Sequence, residues 1–129
     1  MSLTVSSTLL KQAQQGNVPQ NDFLSCIRES LPYAWQLIED LAGKLRRSEA
    51  SFVDNQTPPP NEQARGQLLR VLASDSMRGA LEDHFGVKLA FQNCHRVALF
   101  QKDRLDQEYE AFISPRNQLL NQSPELVDC

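Results

Sequence analysis

The residues best equipped for chemistry are a thiol and an imidazole side by side. Cys94-His95 sits between two alternating apolar runs in GVKLAFQNCHRVALF, residues 86–100. A nucleophilic cysteine needs a base within hydrogen-bond reach and a further group that orients the base. A lowered thiol pKa also wants a helix N-terminus or a cationic neighbourhood. Arg96 is the only permanent cation close by in sequence. Neighbouring residues in a strand point to opposite faces, so the two groups meet only if a turn folds them together. Polar residues at a hairpin tip are therefore the better reading. A small thiol-dependent enzyme using Cys94 and His95 remains the sharp alternative.

Other constellations are thinner. His84, Cys94 and His95 could share a metal ion only if a helix end met the hairpin tip. A structural zinc site takes four ligands, commonly in closely spaced pairs, and the second pair is missing. The carboxylate pairs Glu39-Asp40 and Glu82-Asp83 diverge by about 100° on a helix and read as solvated faces. None of the five glycines forms a GxGxxG or GxxxxGK[ST] phosphate cradle. No catalytic residue, metal ligand or cofactor is assigned from these patterns.

A basic stripe is the best rival. Arg65, Arg70 and Arg78 fall on one helical segment, and Lys88 and Arg96 on the hairpin that follows. Residues 61–104 hold seven Lys or Arg against five Asp or Glu, a net of +2 in a chain of net charge -3. Helices followed by a hairpin match a winged-helix outline, in which a helix enters the major groove. The spacing of five and eight residues makes the arginines spiral, and few polar side chains lie between them to read bases. A winged-helix-like DNA-binding regulator is thus the second reading. An interaction role ranks first, with Tyr33 as an anchor candidate because it falls off the apolar stripe of its helix.

The elements that must position these residues follow from periodicity. Leu3, Val5, Leu9, Leu10 and Ala13 predict a short helix over 3–15, with Ser2 as cap and Gly16 as stop. Leu24, Ile27, Leu31, Trp35, Ile38, Leu41 and Leu45 recur at three and four residues, one apolar stripe with Asn21 at the capping position. Pro32 kinks that helix or splits it, with Ser30 capping the second half. Residues 48–60, SEASFVDNQTPPP, break the pattern. They read as a stiff Pro-rich connector, with a ligand for an aromatic-lined groove as the functional alternative. Residues 61–85 predict one bent helix or two, restarting at Ser74-Asp75-Ser76, with Gly86 as a left-handed cap. The period then drops to two over Val87, Leu89 and Phe91 and again over Val97 and Leu99, a β-hairpin. Residues 114–129 form an acidic tail in which Ser114-Pro115 and Ser123-Pro124 start short turns.

The 129 residues fit a single domain, 1–129, large enough for a core. The expected fold is α+β: a mainly helical bundle of three to four helices with one β-hairpin packed against it. No apolar run approaches the ~20 residues that span a bilayer, and the start lacks a secretory pattern. Three widely spaced cysteines, Cys26, Cys94 and Cys129, suit a reducing compartment, so a cytoplasmic location is expected. The stretch NQTPPPNEQARGQLLRVLASDSMRGALEDHFGVKLAFQNCHRVALF resembles small uncharacterised conserved proteins of cyanobacteria. That resemblance implies an accessory or regulatory factor in a photosynthetic bacterium. A non-enzymatic protein-interaction or assembly factor with a protein partner is the resulting expectation. Homo-oligomers would form through the hairpin edge or the helical stripe.

Overall fold

The computed structural model describes residues 3–122. Ser2, the Ser123-Pro124 turn, Cys129 and the end of the acidic tail lie outside the described residues. Within them the chain forms seven helices and a three-stranded antiparallel sheet, an α+β fold. The hairpin expected from sequence is there, but it carries a third strand.

Helix α1, Ser7–Gln14, begins four residues later than the expected 3–15 span. Ser6 caps it by accepting from the Leu9 amide, and none of its residues is buried. The long stripe is divided by Pro32 into α2, Gln20–Ser30, and α3, Pro32–Arg46. Proline at the first helical position costs no hydrogen bond there and fixes a helical φ. Helix α2 starts ahead of Asn21, with Pro19 at the cap position.

Ser30 does not cap α3. Its hydroxyl instead accepts from the Thr4 amide at 2.8 Å and pins the N-terminal segment. The orphan donors of α3 go to Gln67, whose Oε1 accepts from Tyr33 N at 2.7 Å and Ala34 N at 3.3 Å.

Strand β1, Phe52–Asp54, lies inside the stretch read as a connector. After the prolines come α4, Glu62–Leu72, and α5, Asp75–Phe85. Asn61 caps the first and Ser74 caps the second. Gly86 ends α5 at φ 68°, a left-handed position that suits glycine. Strands β2, Val87–Gln92, and β3, Arg96–Gln101, form the hairpin, and β3 sits in the middle in the order β1-β3-β2. Two short helices close the described chain: α6, Gln107–Phe112, and α7, Pro115–Leu120. Ser114 caps α7 with Pro115 in its first turn, as the sequence predicts.

The sheet separates two apolar clusters because side chains alternate across a strand. Val53, Val87, Leu89, Val97 and Leu99 face α2 to α5 and join Ile27, Leu31, Trp35, Ile38, Leu68 and Leu81 in the main core. On the opposite face Phe52, Ala90, Ala98 and Phe100 meet Tyr109 and Phe112 of α6. Phe100 is fully buried there, stacked on Phe52 at 4.9 Å and edge-on to Tyr109 at 5.2 Å.

Candidate functional site

The hairpin tip brings together the residues that the sequence singles out as Cys94, His95 and Arg96. Gln92 pairs with Arg96, and the His95 amide donates to the Gln92 carbonyl at 3.4 Å. The two central residues are Asn93 at φ 56° and Cys94 at φ 48°. Positive φ at both positions is what a type I′ turn demands, matching the twist of the paired strands. Asparagine tolerates this region, whereas a cysteine there carries a cost of about 1 kcal/mol. His95 is buried and its Nδ1–H donates to the Asn93 carbonyl at 2.6 Å. Cys94 is disulfide-bonded, so its sulfur is not held as a thiol. This differs from the reading of three reduced cysteines. Cys26 is free and buried, with its Sγ near the Thr4 carbonyl at 3.4 Å.

Beside the tip lies a polar network that joins three elements. Arg96 donates to Asp54 Oδ2 through Nε at 2.9 Å and Nη2 at 2.7 Å, and through Nη1 to Gln92 Oε1 at 3.2 Å. Gln92 in turn donates to the Phe112 carbonyl at 3.1 Å, and the guanidinium lies 4.8 Å from the Phe112 ring centre. Asp54 is the more buried partner, its side chain 9% exposed against 29% for Arg96. Asn55 extends β1 by side-chain mimicry: its amide nitrogen donates to the His95 carbonyl at 2.7 Å, and its oxygen accepts from Val97 N at 2.8 Å. Between these groups runs a groove of about 350 Å³, lined by Asn55, Gln56, Pro58, His95, Leu120 and Asn121 among others. Helix α7 borders it, held to the tip by a hydrogen bond from the Gln118 amide to the Asn93 side chain. Asp54, Asn55, Gln92 and Leu120 were not singled out in the sequence.

His84 does not join this site. It ends α5 at the base of the hairpin, where it packs 5.5 Å from Trp35. The six-residue strands put the tip roughly 20 Å away. Among the described residues no three His, Cys, Asp or Glu side chains are grouped to hold a metal ion.

The basic stripe disperses into local pairs. Arg65 meets Glu62, Arg78 meets Asp75 and the Leu72 carbonyl, Lys88 meets Glu82, and Arg96 meets Asp54. Arg70 is exposed on α4. Tyr33 is half-buried near the start of α3, and burial raises its phenol pKa above the ordinary 10.0. Neither Tyr33 nor the α4 and α5 arginines belong to the tip.

The fold and this site define a small α+β domain whose polar groups are tied into structural networks around a three-stranded sheet. A family model describing the NucS shadow ORF matches residues 1–129, and the chain belongs to that family. No curated protein and no solved structure matches it. Among the described residues no helix is long and apolar enough to cross a membrane.

Proposed function

We propose that the chain is a non-enzymatic protein-interaction module, an assembly or regulatory factor that meets its partner at the hairpin-tip end of the sheet. The observation that carries this is the exposure of Leu119 and Leu120, 74% and 63%, on a helix of six residues that buries none of its own. A helix of that length does not persist alone in water. It is fixed by α6 and by Gln118, which presents two leucines beside a groove rimmed with polar groups. An apolar centre with a polar rim is how protein interfaces are composed. The resemblance noted above suits an accessory factor in a photosynthetic bacterium.

A nucleic-acid role has less support. Phosphate binding needs cations not already neutralised, and four of the five stripe residues adjoin carboxylates.

The test is capture from native lysate with wild type and with Leu119→Glu plus Leu120→Glu. A stoichiometric partner should be retained by the wild type and lost by the variant, which keeps its circular dichroism because neither leucine is buried. Failure to retain a stoichiometric partner at low and moderate salt, or equal retention by the variant, would overturn the reading.

A further inference from the structure

The segment between β1 and α4 is bracketed by two local side-chain hydrogen bonds and is mostly exposed between them. Asn55 Nδ2 donates to the Thr57 carbonyl at 3.2 Å, and Asn61 Oδ1 accepts from Ala64 N at 2.8 Å as the cap of α4. Between these anchors run Thr57, Pro58, Pro59 and Pro60, of which Thr57, Pro58 and Pro60 are exposed. Each proline fixes its own φ near −65°, and Thr57, Pro58 and Pro59 each precede a proline and are driven from the helical region. Thr57, Pro58 and Pro59 are thereby confined to extended or polyproline II geometry, so much of the strap's ordering precedes any binding. Ordering cost is what weakens most linear ligands, and it is largely removed here. Pro58 also lines the groove that Leu120 borders, so a ring stacked on it would have a second apolar wall.

We infer that residues 57–60 are a preformed polyproline ligand for a partner protein presenting a groove of parallel aromatic side chains. This rests on the interaction reading and names the chemistry of its partner. Pyrrolidine faces stack on aromatic rings, and the strap's carbonyls accept hydrogen bonds from indole or phenol groups. No Lys or Arg lies between Arg47 and Arg65, while Glu62 is 77% exposed at the end of the strap. The groove that fits therefore needs no acidic rim.

A WW domain with its aromatic-lined groove serves as the probe, titrated into the full-length ¹⁵N-labelled chain. The amides of Gln56, Thr57, Asn61, Glu62 and His95 should shift, and Pro58→Ala with Pro59→Ala should weaken binding roughly tenfold. Replacing the probe's own groove aromatics by alanine should abolish the shifts and leaves this chain untouched. Absence of shifts at millimolar probe, or shifts indifferent to the proline substitutions, would overturn the inference. The Leu119→Glu, Leu120→Glu variant should still bind the probe. If lysate capture needs the leucines but not the prolines, the interaction reading stands and the strap's role falls.

Discussion

At the scale of single residues, stability rests on polar side chains that bond across the fold. Gln67 is 8% exposed and satisfies two amides at the start of α3, a place where a serine or aspartate usually serves. Gln67→Ala leaves both donors buried and should cost about 1–3 kcal/mol in urea denaturation. Asp54→Ala strips the buried partner from Arg96 and should cost about 2 kcal/mol by the same measurement. Tyr33 gives a pH signature. Its pKa is raised in the folded state by burial, so the fold binds that proton more tightly than the unfolded chain does. The stability this contributes is whole below pH 10.0 and is lost as pH rises through the folded value. Tyr33→Phe should flatten the alkaline decline in denaturation midpoint relative to wild type. None of these roles was legible beforehand. Gln67 looks like any surface glutamine of an amphipathic helix, and Arg96 looked like a free cation because Asp54 stands 42 residues away.

At the scale of elements, the same sequence was far easier to read. The apolar stripe over 24–45, the break at Pro32, the restart near Ser74, the glycine cap and the hairpin all follow from local periodicity and turn chemistry. Cap identities moved by two to four residues or were replaced outright, as with Ser2 giving way to Ser6, Asn21 to Pro19, and Ser30 accepting from the Thr4 amide instead of capping α3. Strand β1 escaped because three residues beside a proline run show no alternation, and its existence depends on Phe52 finding Phe100. The free edge of β2 shows how an exposed strand is managed. Its Leu89 amide points away from β3 and donates to Glu82 Oε2 at 2.9 Å, with Lys88 alongside at 3.5 Å. An unpaired edge amide is a template for strand addition by another chain. Glu82→Ala should therefore raise self-association, seen as a heavier species in sedimentation velocity, while helix content stays near wild type.

At the scale of the whole molecule, one thin sheet serves two cores at once. Val97 and Leu99 lie in the main cluster, while Ala98 and Phe100 lie in the other. Neither cluster can loosen without disturbing the strand they share. Thermal unfolding followed by Trp35 fluorescence, which reports the main core, should coincide with that followed by far-ultraviolet circular dichroism. Separate midpoints would show that α6 and its aromatic cluster melt independently. This two-sided arrangement was not visible from the hairpin alone, since a two-stranded ribbon with one covered face needs no third strand.

The central place of β3 also bears on synthesis. Both outer strands leave the ribosome earlier, β1 with two helices still to come, and in the folded sheet neither bonds to the other. Until residues 96–101 emerge, Phe52 and Val53 have no ladder to join and must wait beside half-collapsed helices. Nascent chains arrested before β3 should thus be cut readily by protease at β1. Protection should arrive in one step once Gln101 has cleared the exit tunnel.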